Sequence, residues 1–232
     1  MTTSKKIAVA GASALALCLG SAGLAQAGQQ ADLLIKGGTV YDGGQGAGVT
    51  ADVAIAGGKI VFVGDAAKAK LKAAATIDAK GKVVAPGFID PHTHYFEDLS
   101  STDAGMRRNL AAAMQGVTTV FVGSDGRAAP EVKDTFARLE QNGVGTNVAT
   151  YVGFGTLRQR VLGDSDRAPN ATELEQMKGM VAKAMCEGAL GLSTGLFYPP
   201  QSYAKTEEVI ALAKEAAKRG GTYDSHIRDE SS

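Results

Sequence analysis

Short alternating runs of apolar and polar residues, separated by glycine pairs, occupy residues 31–86. Two such runs, residues 32–36 and 51–55, each end at a pair of glycines. Runs of this length, bounded by glycine pairs, are typical of strands joined by tight turns. We therefore predict that residues 31–86 form a small β-rich, sandwich-like domain or the N-terminal part of one.

From residue 87 the pattern changes to short apolar strands that alternate with amphipathic helices. The expected strands are residues 87–90, 117–122, 147–152, 189–193 and 222–227. The expected helices are residues 104–115 and 130–139, one that follows a capping box of Thr172 and Glu175, and one that begins at Thr206. A repeated strand–helix unit predicts parallel strands. Five units do not decide by themselves between an open sheet and part of a barrel.

The first 27 residues have the character of a secretory signal. Lys5 and Lys6 give a basic start, residues 7–24 are almost wholly apolar or small, and Ala25 and Ala27 form a small-x-small cleavage site. This order predicts a signal peptide over residues 1–27 and therefore a secreted or periplasmic bacterial protein. A membrane anchor is the alternative, but a cleavage site after the apolar run favours removal and leaves no stable anchor.

The charge balance is neutral, with 24 basic and 24 acidic residues. Because there is no basic excess, we expect no nucleic-acid partner. Removal of residues 1–27 leaves Cys186 as the single cysteine, so we expect no internal disulfide. Cys186 lies in a helical pattern, where a small buried apolar role is expected. None of these features points to a particular oligomeric state.

All three histidines of the chain, His92, His94 and His226, lie at the carboxyl ends of expected strands. His92 and His94 are two residues apart, so in an extended chain their side chains point to the same face. Two imidazoles on one face can converge on a cation such as zinc. Barrel enzymes place their catalytic groups at these strand ends. The histidines therefore predict a metal site and favour a barrel over an open sheet for residues 87–232.

Asp125 and Tyr198 follow two other expected strands and are further candidates. Asp125 precedes Gly126 after the second strand, where it either binds the metal or simply forms a turn, and the sequence leaves both alternatives open. Tyr198 lies in an aromatic and proline-rich loop, where its hydroxyl either holds a substrate carboxylate or packs the loop. Residues 228–230 either orient His226 or form an ordinary charged loop.

Four segments together resemble the amidohydrolase superfamily and, within it, the N-acyl-D-amino-acid deacylase (D-aminoacylase) family. They are VVAPGFIDPHTH at residues 83–94, GVTTVFVGSDG at 116–126, NVATYVGFGTLR at 147–158, and the long segment at 187–231 that begins EGALGLSTGLFYPP. The last segment separates this family from other amidohydrolases. The resemblance extends from about residue 31 to the end of the chain.

The resemblance implies a small β-rich domain followed by a metal-dependent (β/α)8 TIM barrel, of which this chain holds about five of the eight strands. By position it implies that His92, His94 and His226 bind the metal, with one or two zinc ions or another divalent metal expected. It implies that Asp125 stands at a ligand position and that Tyr198 holds the substrate carboxylate. The implied reaction is hydrolysis of the amide bond of a small-molecule N-acyl-D-amino acid.

Three features depart from the family pattern. Asp125 stands where better-known members have cysteine, and Phe154 stands where histidine is frequent. A general-base Asp is expected beyond Ser232, so we expect this chain alone to be inactive. The alternatives are a D-residue dipeptidase or another amidohydrolase of the same superfamily, and a truncated metal-binding remnant without activity. A cyclic amidase that uses a carboxylated lysine on the fourth strand is disfavoured, because residues 189–193 contain no lysine.

Overall fold

The computed structural model describes residues 30–231, so the predicted signal peptide at residues 1–27 lies outside the described residues. The chain divides into two compact units, with the boundary between Pro86 and Gly87. Each unit has its own hydrophobic core. Within residues 30–231 we find no helix with both the length and the apolar character needed to cross a bilayer.

In the first unit, the described residues form one mixed five-stranded sheet. Its strands are β1 (Gln30–Val40), β2 (Val49–Ala56), β3 (Lys59–Gly64), β4 (Lys72–Asp78) and β5 (Val83–Val84). β1 is central: β2 pairs with it antiparallel, while β4 and β5 pair with it in parallel. β2 and β3 form the hairpin predicted at Gly57 and Gly58, which both have positive φ. A second sheet, which a sandwich requires, is not among the described residues of this unit.

The other glycine pair, Gly37 and Gly38, does not form the predicted turn. β1 continues through both residues, and its pairing with β2 shifts register between Ile35 and Gly38. Gly37 has φ +73°, and its N–H donates to Asp52 Oδ1 at 2.8 Å. Glycine allows a strand to bulge in this conformation without ending. The prediction of two separate strands here is therefore wrong.

The second unit consists of parallel strands that alternate with helices in chain order. Its described strands are β6 (Phe88–Asp90), β7 (Val117–Val122), β8 (Asn147–Thr150), β9 (Val152–Gly153), β10 (Gly191–Gly195) and β11 (Thr222–His226). β6, β7 and β8 pair in that order, as do β9, β10 and β11. Tyr151 alone separates β8 from β9, so these two segments occupy one strand position. Five successive parallel positions form an incomplete (β/α)8 barrel, which confirms the predicted fold class.

Helical segments accompany these strands. Within the described residues they are α1 (Phe96–Leu99), α2 (Ala104–Arg107), α3 (Leu110–Ala113), α4 (Val132–Asn142), α5 (Phe154–Leu162), α6 (Ala171–Cys186) and α7 (Thr206–Ala217). The larger core packs α5, α6 and α7 against β9 and β10, and its fully buried members include Phe154, Met177, Leu192 and Leu212. Burial of these apolar side chains holds the strands in place. Polar residues, by contrast, lie at or just after the carboxyl ends of β6, β7 and β11.

The helix predicted over residues 104–115 is interrupted in the structure. α2 ends at Arg107 and α3 begins at Leu110, because Asn109 adopts a left-handed conformation with φ +48°. Asn109 is buried, and its Nδ2 donates to Thr146 Oγ1 at 3.2 Å. A tertiary hydrogen bond thus stabilises the break, and the prediction of one continuous helix is wrong.

Several details around α5 and α6 also differ from the predictions. The apolar pattern did not predict α5 at all. The capping box of α6 is formed by Asn170 and Glu173 rather than by Thr172 and Glu175, with reciprocal hydrogen bonds of 2.8 and 2.9 Å to the two backbone N–H groups. Asparagine is at least as good an N-cap as threonine, so the helix begins earlier. Cys186, at the end of α6, is exposed rather than buried.

Candidate metal centre

The carboxyl ends of β6, β7 and β11 lead into one cluster of polar side chains. His92 and His94 follow β6, Asp125 follows β7, and His226 is the last residue of β11. The parallel strands of a barrel all end at the same face, so the residues that follow them meet there. The structure brings together the four residues for which the sequence indicated metal binding.

Asp125 lies at the centre of this cluster. Its Oδ1 is 3.7 Å from His92 Nε2 and 3.7 Å from His226 Nδ1, and its Oδ2 is 3.6 Å from His94 Nε2. These separations exceed those of hydrogen bonds, whose N···O distances are about 2.7–3.2 Å. Ligand atoms about 2 Å from one tetrahedral ion lie roughly 3.3 Å apart. Ligand atoms of His92, His94 and Asp125 all lie within 4.8 Å of one another, so these groups can share an ion.

The environment of the Asp125 carboxylate fits a bound cation. The residue is 5% exposed, and its Oδ1 has no hydrogen-bond partner among residues 30–231. A buried carboxylate oxygen without a partner is costly, because nothing offsets its lost hydration. A divalent ion between this oxygen and the imidazoles removes that cost. Imidazole nitrogen and carboxylate oxygen are also donors that zinc and similar ions accept, so the residues present fit a metal.

The loop at Asp125 has an unfavourable backbone that other residues hold in place. Asp125 has φ +58°, a left-handed conformation uncommon for a residue with a side chain. Gln201 Nε2 donates to Asp125 O at 2.8 Å, and Gln201 Oε1 accepts from Gly195 N–H at 2.7 Å. A Cβ at Gly126 would lie 2.1 Å from Gln201 Oε1, so a larger residue there would displace Gln201. Asp125 therefore does form a turn, yet its carboxylate faces the histidines.

Two residues that the sequence did not single out, Asp224 and Ser193, adjoin the cluster. Asp224 Oδ1 lies 3.0 Å from His92 Nδ1, and this hydrogen bond raises the pKa of the His92 imidazole above its ordinary value. Asp224 Oδ2 accepts a hydrogen bond from Ser193 Oγ at 2.9 Å. The signal that points to Asp224 is its spacing, because Asp224 and His226 are two residues apart in β11 and share one face of the strand.

Tyr198 lies beside His226, with 5.0 Å between their ring centroids. Phe197 packs edge-on against Tyr198 at 5.3 Å, and the Arg127 guanidinium lies 5.1 Å from the Tyr198 ring centroid. Aromatic and cation–π contacts of this kind orient a ring. The structure therefore positions Tyr198 next to the histidine cluster.

The charged residues that follow His226 differ in what they contact. Glu230 Oε1 lies 3.5 Å from His226 Nε2. Arg228 instead donates to the backbone oxygens of Ser202 and Ala204, at 3.2 and 2.6 Å. Glu230 thus faces the imidazole, whereas Arg228 stabilises a neighbouring loop.

A cavity of about 330 Å³ lies beside His94. Its lining includes Phe96, Ser124, Arg127 and Thr135. Ser124 Oγ is buried and has no hydrogen-bond partner among the described residues. The cavity thus offers space and an available hydroxyl next to the cluster.

Comparison with known proteins supports the resemblance drawn from the sequence. The amidohydrolase family model matches residues 75–223. A D-aminoacylase from Alcaligenes xylosoxydans xylosoxydans is 37% identical over 226 residues, which cover 87% of this chain and 45% of that protein. The chain spans about half the length of the curated relatives it matches.

Solved structures of the same group have the same fold. The N-acyl-D-glutamate deacylase from Bordetella bronchiseptica, solved with zinc and a phosphonate inhibitor, has a TM-score of 0.80 at 33% identity, covering 87% of this chain and 46% of that chain. A D-aminoacylase structure concerned with one-metal activation and second-metal attenuation of a binuclear centre has a TM-score of 0.76 at 36% identity, covering 86% and 46%. The chain belongs to the amidohydrolase family, and its similarity to D-aminoacylases and N-acyl-D-amino-acid deacylases confirms the relationship inferred from its motifs.

Proposed function

We propose that the protein containing this chain hydrolyses the amide bond of N-acyl-D-amino acids with the help of a bound divalent metal. One observation carries the proposal: at the ends of barrel strands, His92, His94 and His226 surround the buried carboxylate of Asp125, whose Oδ1 has no hydrogen-bond partner within residues 30–231. The relatives include a D-aminoacylase, an N-acyl-D-aspartate deacylase and an N-acyl-D-glutamate deacylase, which supports this substrate class.

Zinc is the proposed metal, held by His92, His94, Asp125 and His226. The Bordetella bronchiseptica relative was solved with zinc, and a D-aminoacylase has a binuclear centre, which together support one or two ions. When bound, such an ion supplies Lewis-acid chemistry toward water and toward the acyl carbonyl of the substrate.

The side chains around the metal site would bind and orient the substrate. The Tyr198 hydroxyl is proposed to hold the substrate carboxylate, since Phe197 and Arg127 orient its ring beside His226. The cavity beside His94 offers room for a small molecule. Oriented binding of this kind contributes to rate by positioning the scissile bond.

The metal proposal is tested on the chain itself. The metal-free chain is titrated with Zn²⁺, and binding is compared with that of His226→Ala and His92→Ala. We expect each substitution to weaken zinc binding by at least about tenfold, because each removes a ligand. Unchanged affinity in both variants would disprove the proposed centre.

The reaction is tested on the whole protein that contains this chain. N-acetyl-D-amino acids, their L-enantiomers and a D-residue dipeptide are compared as substrates before and after chelation. We expect turnover of the N-acetyl-D-amino acid that chelation abolishes and Zn²⁺ restores. Preferred turnover of the dipeptide would transfer the assignment to a dipeptidase, and turnover insensitive to chelation would contradict the proposal.

Export is a further proposal, because residues 1–27 have the order of a signal peptide. Expression in a Gram-negative host should yield a periplasmic protein whose sequence begins at Gly28. An uncleaved cytoplasmic product would contradict it.

A further inference from the structure

A chain of hydrogen bonds joins the loop that carries Asp125 to the imidazole of His92. Gly126 N–H donates to Ser193 Oγ at 3.2 Å, and Ser193 Oγ donates to Asp224 Oδ2 at 2.9 Å. Asp224 Oδ1 lies 3.0 Å from His92 Nδ1. Each bond joins separate segments of the chain, so the contacts arise from the way the strands are assembled.

The pairing of β10 with β11 brings Ser193 and Asp224 together. The two residues are register partners in the parallel ladder. Ser193 is fully buried, and the Asp224 side chain is 17% exposed. Hydrogen bonds in such a setting are weakly screened by water and therefore hold their groups firmly.

The direction of each hydrogen bond follows from the available protons. The Gly126 N–H can only donate, so Ser193 Oγ accepts there and its single hydroxyl proton is directed at Asp224. An ionised Asp224 can only accept, so the hydrogen bond from His92 requires a proton on Nδ1. In the neutral imidazole, Nε2 then carries the lone pair. His92 Nε2 is the nitrogen that faces Asp125 Oδ1.

We infer that Asp224 is a positioning residue that selects the metal-binding tautomer of His92, and that Ser193 holds Asp224 in place. Metal-binding histidines commonly donate their other N–H to a carboxylate, which fixes the ring and increases its basicity. The inference rests on the proposed metal function, because the tautomer matters only if Nε2 binds an ion. It adds Asp224 and Ser193 to the residues on which the centre depends.

A purely structural role for Asp224 makes a different prediction, and Thr194 provides the matched control. Thr194 Oγ1 lies 2.8 Å from both Tyr223 Oη and Ser225 Oγ, so it also links β10 to β11. Thr194 is fully buried like Ser193, but its hydroxyl contacts Tyr223 Oη, Ser225 Oγ and the backbone oxygen of Asp224. Among the described residues it makes no hydrogen bond to the Asp224 carboxylate or to His92. Thr194→Ala therefore measures the effect of losing hydrogen bonds between these strands.

The first measurement uses the metal-free chain. The ring nitrogen-15 shifts of His92 are recorded at alkaline pH, where the imidazole is neutral. We expect the Nδ1–H tautomer to dominate in the parent chain and in Thr194→Ala, and to lose its dominance in Asp224→Ala. An unchanged tautomer in Asp224→Ala would overturn the inference, whatever the metal affinity.

The second measurement is the affinity for Zn²⁺ alone. We expect Asp224→Ala to weaken binding by about 10- to 100-fold, as losses of such supporting groups do. Ser193→Ala should weaken binding less, and Asp224→Asn should recover part of the loss, because its amide oxygen can still accept from Nδ1–H. Equal losses in Thr194→Ala and Asp224→Ala would assign the effect to strand pairing and overturn the inference.

The design separates this inference from the proposed function. If His92→Ala and His226→Ala bind zinc as well as the parent chain does, the metal centre itself is wrong. If those variants lose zinc while Asp224→Ala keeps it within about twofold, the centre stands and the role of Asp224 is overturned.

Discussion

At the level of single residues, Asp125 combines burial, a positive φ and a carboxylate oxygen, Oδ1, that has no hydrogen-bond partner in the described part of the chain. Each property is unfavourable for the folded state by itself. Gln201 stabilises the backbone of the loop, but it does not bind the carboxylate. The carboxylate therefore needs another partner, and the three imidazoles around it suggest a shared cation.

The first prediction is that Asp125→Asn weakens zinc binding and stabilises the metal-free chain near pH 8. The amide keeps the side-chain shape and tolerates the left-handed backbone, but it removes a buried negative charge. Zinc titration and thermal melting of the metal-free chain measure the two effects. Ser124→Ala is the control in the same loop and should leave zinc affinity within about twofold of the parent. A metal-free Asp125→Asn chain that melts well below the parent would contradict this explanation.

At the level of elements, helices α5 and α7 are joined by a buried ion pair. Arg158 is fully buried, and its Nη1 donates to both carboxylate oxygens of Glu208 at 2.6 and 2.7 Å. Arg158 Nη2 also donates to the backbone oxygens of Ser165 and Arg167. The guanidinium therefore connects α5, α7 and the segment before α6.

The second prediction is that Glu208→Leu destabilises the chain by about 3–5 kcal/mol, because it leaves the Arg158 charge buried without its partner. Adding Arg158→Met should recover part of that loss. Denaturant unfolding measures both. Glu207→Gln, at an exposed position in the first turn of the same helix, should change stability by no more than about 1 kcal/mol. A Glu208→Leu effect as small as that of the control would show that the pair is unimportant.

The third prediction concerns the start of α6. Asn170 caps the helix, and Asn170→Ala should cost about 1 kcal/mol. Arg167 binds the Glu173 carboxylate and, with the Asn170 N–H, lowers its pKa from 4.5 to about 2. Because the folded-state pKa is the lower one, the Glu173 contribution is present above about pH 4.5 and is lost as the pH falls toward 2.

Unfolding experiments across that pH range check the dependence on Glu173. Glu173→Gln should remove the part of the acid destabilisation that arises at this residue. Glu175→Gln, whose carboxylate is exposed on the same helix, should leave the dependence unchanged. If the Glu173 and Glu175 variants have the same pH profile as the parent, the carboxylate of Glu173 does not couple to folding.

At the level of the whole molecule, the proposed ligands all belong to the second unit, which begins at Gly87. The fourth prediction is that Zn²⁺ protects this unit selectively. An ion at 100 times its Kd stabilises the state that binds it by about 2.7 kcal/mol. Amide hydrogen exchange should therefore slow around β6, β7 and β11 and stay unchanged in β1 to β4. Equal protection of both units, or protection that persists in His226→Ala, would contradict binding at this centre.

The sequence by itself determined the features that depend on local patterns. Alternating and helical periodicities indicated most of the strands and helices, though not α5, and the spacing of His92 and His94 predicted that their side chains share a face. Strand-end positions indicated His226 as a metal-site candidate and placed Asp125 near it, but left open whether Asp125 was a ligand or an ordinary turn residue. Short motifs were enough to indicate the family, which the comparisons confirm.

Only the tertiary structure decided how distant segments meet. The break at Asn109 depends on a hydrogen bond to Thr146, 37 residues away, and the contact between His92 and Asp224 spans 132 residues. Periodicity describes the faces of one element and carries no information on such distances. The packing of the barrel strands determined these long-range contacts. The partner of His92 and the environment of Asp125 Oδ1 could therefore be seen only in the folded chain.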